Sequence, residues 1–99
     1  MLEKDIVAMI RRYLKLLGSD IFFFKEHGGQ YSTAGIPDLI CCYKGRFVAF
    51  EVKSPVGKPT ELQKRTLEKI QKAGGVAFVV RSVKEVQDII SMIDKQEVS

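Results

Sequence analysis

Apolar residues recur at Leu2, Ile6, Ile10, Tyr13, Leu14 and Leu17. That three-to-four spacing predicts a helix with one buried face, stopped at Gly18. The run Ile21-Phe22-Phe23-Phe24 is too short for a helix and predicts a strand. Glycines, polar residues and Pro37 make the next stretch a loop. Residues 38–43 and 46–53 read as two strands joined at Lys44-Gly45, with a further loop over "SPVGKP". Thr60 followed by Gln63 has the form of a capping box, so a helix runs from there to about Ala73, stopped by Gly74-Gly75. "VAFVV" predicts a fourth strand, and Ser82 with Glu85 repeats the capping form before a terminal helix.

The order is α-β-β-β-α-β-α. Three sequential strands form an antiparallel meander, and a crossover helix returns the fourth strand parallel to its neighbour. The expected fold is therefore α/β, a mixed central sheet flanked by helices on both faces. A central strand covered on both sides accounts for the nearly unbroken apolar run over 46–52. Four consecutive apolar residues at Ile21–Phe24 likewise ask for cover on both faces, from the core or from a second subunit. The 99 residues are read as one domain, 1–99.

Two acids interrupt this apolar pattern, Asp38 and Glu51. If Lys44-Gly45 is the centre of a tight hairpin, Tyr43 faces Arg46, and counting outward brings Leu39 opposite Phe50 and Asp38 opposite Glu51. Directly opposed residues share a face of the sheet, with Cβ atoms roughly 4.5–5.5 Å apart. Lys53, two residues beyond Glu51, projects from that face too. Opposed carboxylates destabilise a hairpin and push one proton affinity up. A divalent cation reverses that cost, and hard oxygen donors suit Mg²⁺, with Mn²⁺ as a substitute. A bulge or a longer loop would instead shift the register by one and leave the acids as strand-end surface residues.

Charge sharpens the picture. The net charge is +4, and its distribution is uneven. From Lys44 to Lys72 there are eight bases against three acids, whereas from Ser82 onward there are two bases against four acids. A basic half suggests a face that meets a polyanion, the alternative being a solvated helix face. The N-terminal stretch mixes acids and bases through an amphipathic pattern, so it reads as a helix and not as a signal peptide. No apolar run approaches the ~18 residues of a membrane span. Cys41 and Cys42 are adjacent, point to opposite faces of a strand and cannot readily share one metal or bridge. They are expected to be reduced, small and buried, in an intracellular, cytoplasmic setting.

"IPD" at 36–38 followed across a hairpin by "EVK" at 51–53 resembles the PD-(D/E)XK nuclease motif. With the element order, Gln63 on the following helix, Glu3 on the first helix and the compact length, the chain is most similar to the stand-alone virus-type replication-repair nuclease (VRR-NUC) domains of phages and bacteria. The resemblance covers roughly residues 2–93 and implies a restriction-endonuclease-like core. It implies a Mg²⁺-dependent endonuclease hydrolysing DNA phosphodiesters, with Asp38, Glu51 and the Val52 carbonyl on the metal. Glu3 reaches the metal, through water, and Lys53 orients the attacking water and stabilises charge on the phosphate. Gln63 supports the site through the lysine or the substrate, a role that stands beside its plain use as a helix cap. On the residues themselves, His27 and Lys25, with Tyr31, Ser32 and Thr33, read as DNA contacts on the Gly-rich loop, a solvated loop being the alternative, and Lys58, Lys64 and Arg65 as DNA contacts on the basic segment. The family's stand-alone members resemble homodimeric Holliday junction resolvases, so four-way junctions and a homodimer are the expected substrate and assembly. Flap or nicked DNA is the alternative substrate, and a DNA-binding module without catalysis the alternative function.

Overall fold

A two-residue hairpin organises the sheet. In the computed structural model, which describes residues 1–27 and 34–96, β2 (Leu39–Tyr43) and β3 (Arg46–Val52) are joined at Lys44-Gly45. Both turn residues have positive φ, 48° and 82°. That is the type I′ combination whose twist matches paired strands, and it gives the register Tyr43↔Arg46 through Leu39↔Phe50. β1 (Ile21–Lys25) pairs antiparallel with β2, and β4 (Val76–Val80) pairs parallel with β3, so the sheet order is β1-β2-β3-β4. The helices are α1 (Glu3–Lys15), α2 (Glu61–Lys72) and α3 (Val83–Gln96), with one 3₁₀ turn at Gly18–Asp20. The mixed α/β sheet and its element order match the sequence expectation.

α2 lies on one face of the sheet, where the paired small residues Ala49 and Ala77 let it approach closely and Leu67 fills the contact. α1 and α3 pack together on the other face. There Ile10, Leu14, Phe50, Val86 and Ile93 are fully buried. Tyr43 and Lys44 both donate to Asp94 Oδ1, at 2.8 and 3.0 Å, which ties α3 to the turn end of the hairpin. The Thr60 capping box forms in full and the Ser82 one only in half. Thr60 and Gln63 exchange reciprocal bonds of 3.1 and 2.9 Å. Ser82 caps Glu85 N–H, while the Glu85 carboxylate reaches one residue further back, to Arg81 N–H.

Two expectations need correction, at α1 and at Cys42. α1 ends at Lys15, because the chain tightens through bonds of Leu16 and Leu17 N–H to residues three back before Gly18 turns at φ 62°, and Leu2, ahead of the first turn, is exposed. Of the two covers expected for β1, the core of this chain supplies one face only: Ile21 and Phe23 join it, whereas Phe22 and Phe24 are 69% and 46% exposed. α2 packs over Ala49, Ala77 and, in part, Ile40, which leaves the other half of that face, toward β1, open. Cys42 falls on that open half and is exposed, so only Cys41 behaves as a small buried residue. Burial pushes the Cys41 thiol up to about 12. Among the described residues, no helix is long and apolar enough to cross a membrane.

Candidate active site

The hairpin register carries Asp38, one residue ahead of β2, opposite Glu51 near the end of β3. Asp38 is held from both sides of its backbone and side chain. Its carbonyl accepts from Glu26 N–H at 2.8 Å, and its Oδ2 accepts from Val52 N–H at 2.8 Å. The approach to it depends on Gly35, at φ 84°, where a Cβ would stand 2.8 Å from Thr66 and 2.9 Å from Leu62. The "GIPD" segment thus rests directly on α2, and only glycine fits the contact.

Glu51 is 2% exposed and is the buried charged residue among those described. Burial, a hydrogen bond to Asp38 and the Asp38 charge together push its carboxyl up to about 8, with Lys53 opposing. Lys53 Nζ lies 3.6 Å from Glu51 Oε2 and is itself largely buried. Glu3, the first residue of α1, completes the group from the opposite face of the sheet. One carboxylate oxygen each from Glu3, Asp38 and Glu51 lie within 4.8 Å of one another. A groove of about 600 Å³, lined by Leu2, Glu3, Ser54, Pro55 and Val56 among others, opens beside them.

This donor set fits a small hard cation. Three carboxylate oxygens converge, and burial beside Asp38 pushes one of these acids, Glu51, up to about 8. Divalent Mg²⁺ or Mn²⁺ takes such oxygen ligands and offsets their mutual repulsion.

Gln63 stands in the first turn of α2, where its Oε1 is used by the cap, accepting from Thr60 N–H. Lys25 ends β1 at the same end of the sheet as Asp38, its Nζ 3.3 Å from the Glu26 carbonyl. His27 and Lys58 are exposed, as are Lys64 and Arg65 on α2, and Lys64 pairs with Glu61 at 3.1 Å. Tyr31, Ser32 and Thr33 lie outside the described residues.

One residue near the site was not singled out from the sequence. Arg81 Nη1 donates to the carbonyls of Ser54 and Gly57, at 2.6 Å each. Parallel pairing of β3 and β4 is the signal that points to it. Strands running the same way deliver Lys53 and Arg81 to the same end of the sheet, so a basic residue just past "VAFVV" must emerge beside the loop after "EVK".

No protein-family model and no curated protein matches the sequence. Solved structures do. One, described as a VRR_NUC domain protein, superimposes with a TM-score of 0.70 at 21% identity, over 93% of this chain and 87% of that one. Another, described as a VRR_NUC domain, superimposes with a TM-score of 0.72 at 30% identity, over 90% of this chain and 94% of that one. With nearly the whole of both chains matched at that identity, around a hairpin that aligns "IPD" with "EVK", this chain belongs to the VRR-NUC family of nuclease domains.

Proposed function

We propose that residues 1–99 form one catalytic domain, a Mg²⁺-dependent endonuclease that resolves four-way DNA junctions as a homodimer in the cytoplasm of a bacterium or a phage-infected host. The observation that carries the nuclease reading is the convergence of Glu3, Asp38 and Glu51 within 4.8 Å, with Lys53 3.6 Å from Glu51. A DNA-binding module has no use for three clustered acids, one of them buried at a cost to the fold.

Asp38, Glu51 and Glu3 would hold the cation, with the Val52 carbonyl as a further donor. When bound, the cation supplies a Lewis acid for the phosphoryl oxygens and lowers the pKa of coordinated water. The chain does the rest. The Val52 N–H fixes the Asp38 carboxylate, and Glu51, its proton released to solvent, would be a ligand. Lys53, held in a largely buried position by Glu51, donates to the phosphate as negative charge grows there. Gln63 orients Lys53 or the substrate with the amide nitrogen that its cap leaves over. Lys25, His27, Lys58, Lys64 and Arg65 hold the DNA backbone, which fixes register without reading sequence.

Two cuts across a two-fold junction need two sites related by a two-fold axis, as a C₂ dimer provides. The open half-face of the sheet supports that assembly. Phe22 and Phe24 are 69% and 46% exposed on it, an aromatic surface of the kind that subunit contacts cover. The two free cysteines fit a reducing compartment.

The test is cleavage of a panel of four-way junction, flap, nicked and linear duplex DNA, with Mg²⁺, Mn²⁺ or chelator, and Asp38→Asn as the blank. Symmetric nicks in the junction, lost in chelator and in the variant, are expected. Wild-type activity from Asp38→Asn would overturn the metal assignment, and equal cutting of linear duplex would overturn the resolvase reading alone.

A further inference from the structure

The guanidinium of Arg81 has an unusual partner set. It is partly buried, and no ion pair claims it among the described residues. Its Nη1 instead serves two backbone carbonyls, Ser54 O and Gly57 O, at 2.6 Å each. Those carbonyls are the two ends of one tight turn. Gly57 N–H donates to Ser54 O at 3.1 Å and to Ser54 Oγ at 3.0 Å, and a Cβ at Gly57 would sit 3.1 Å from that hydroxyl. A charged donor makes a stronger hydrogen bond than a neutral one. Here it closes a turn that would otherwise be held by Gly57 N–H alone.

Arg81 is itself well anchored. Its N–H donates to Glu85 Oε1, and Ser82 caps the same end of α3, so the guanidinium projects from a fixed helix start. The neighbouring bond from Lys53 N–H to Val80 O, 3.0 Å, joins the two strand ends just before Arg81 and Ser54. The turn it holds lies between two cations. Lys53 immediately precedes Ser54, and Lys58 immediately follows Gly57. Pro55 and Val56 at its tip form the wall of the groove beside Glu3, and Val56 is 89% exposed there. An exposed apolar tip has little packing of its own to keep it in place.

We infer that Arg81 is a positioning residue for this site, clamping the Ser54–Gly57 turn so that Lys53 and Lys58 meet the same phosphate backbone. The inference rests on the nuclease reading, since it assigns Arg81 an effect through Lys53. Arg81 touches neither the carboxylates nor, in this arrangement, the substrate. Loss of the clamp therefore leaves metal binding intact and misplaces the turn. A misplacement of about 1 Å at a reacting group costs on the order of 10²-fold in rate, so kcat should fall by roughly 10- to 100-fold.

The experiment compares wild type, Arg81→Ala and Arg81→Lys in single-turnover junction cleavage, Mn²⁺ titration and amide hydrogen exchange over residues 54–58, each with and without added methylguanidinium. For Arg81→Ala, the expected results are a reduced kcat, Mn²⁺ affinity within about twofold of wild type, and faster exchange at Gly57. Methylguanidinium should restore both rate and protection. Arg81→Lys offers a single ammonium in place of the fork, so it should fall between wild type and alanine, and it serves alone if the alanine variant does not fold. Wild-type kcat in a variant whose turn exchanges fast would overturn the positioning role while leaving the nuclease reading in place. Parallel loss of Mn²⁺ affinity and thermal stability without rescue would reduce Arg81 to a fold residue. A wild-type protein that cuts no DNA in the panel would overturn the nuclease reading and this inference with it, and hydrogen exchange would then still report the clamp.

Discussion

Replacing Glu51 with glutamine should stabilise the metal-free protein, by an amount set by pH. The Glu51 carboxyl stands at about 8 in the fold against an ordinary value of 4.5, through burial first, then the hydrogen bond and charge of Asp38. Below 4.5 both folded and unfolded chains carry the proton and the acid costs nothing. Between 4.5 and 8 the folded chain keeps a proton that the unfolded chain has released. Stability therefore falls as pH rises, by about 1.4 kcal/mol per pH unit. Two and a half units take it to about 3 kcal/mol at pH 7. Above pH 8 the loss levels off near 5 kcal/mol. Glutamine is isosteric and neutral throughout, and its amide donates to Asp38 as the protonated acid does.

Thermal melts in chelator at pH 5, 6, 7 and 8 read this directly, since every other titrating group is common to both proteins. The gap in Tm should be small at pH 5 and reach roughly 15 °C at pH 7, at about 5 °C per kcal/mol for a domain of this size. Added Mg²⁺ should raise the wild type at pH 8 and leave Glu51→Gln largely where it was, because a cation that binds only the folded, ionised site stabilises by mass action. A gap independent of pH, or a glutamine variant less stable than wild type at pH 8, would refute the account of Glu51 as a strained ligand.

Three other outcomes follow from the same geometry. Lys53→Ala should lower kcat by about 10²–10³ with Mn²⁺ affinity retained, as for loss of a donor used in the transition state; an effect confined to KM in steady-state cleavage would make it a binding residue. Gly35→Ala should cost about 1–3 kcal/mol in urea unfolding, from the positive φ alone, and more if Leu62 and Thr66 cannot yield. Phe22→Asp should leave the far-ultraviolet spectrum unchanged and turn a dimer into a monomer in light scattering; a dimer that survives it is assembled elsewhere.

The parts of the site that sequence pattern reached are those governed by local chemistry. The Lys44-Gly45 turn accepts only positive φ at both positions, so it defined a register that could be counted out to Asp38 and Glu51. The Thr60–Gln63 box was legible because both of its bonds are made within four residues. What escaped was set by contacts distant along the chain. "IFFFK" is apolar at every alternate position and its neighbour, so periodicity could not say which face of β1 would be left open. That depended on how far α2 extends across the sheet, and Cys42 shared the same fate. The apolar spacing of the first helix placed Glu3 near its start but did not show that the helix would begin level with the end of β3. Arg81 has no local signature at all, since both its partners lie more than twenty residues away.

The dependence of the site on the hairpin raises the question of what holds the register, the turn or the core. A single glycine inserted between Lys44 and Gly45 separates the two. If the turn alone set the pairing, β3 would slip by one and every side chain on it would change face. Val48, Phe50 and Val52, all fully buried against α1 and α3, would then turn toward α2, and Glu51 would enter the apolar core. Each misplaced side chain of this kind costs about 1.5–3 kcal/mol, and an unpaired buried carboxylate costs more. Lengthening the loop by one residue costs only a fraction of a kcal/mol in closure entropy, plus the loss of a good type I′ turn. The core wins by a wide margin. The insertion should be absorbed in a three-residue loop, with a modest loss of stability and junction cleavage within a few-fold of wild type. A folded insertion variant with no activity and no Mn²⁺ binding would show that the turn, about five residue pairs away from the carboxylates, sets the register that brings them together.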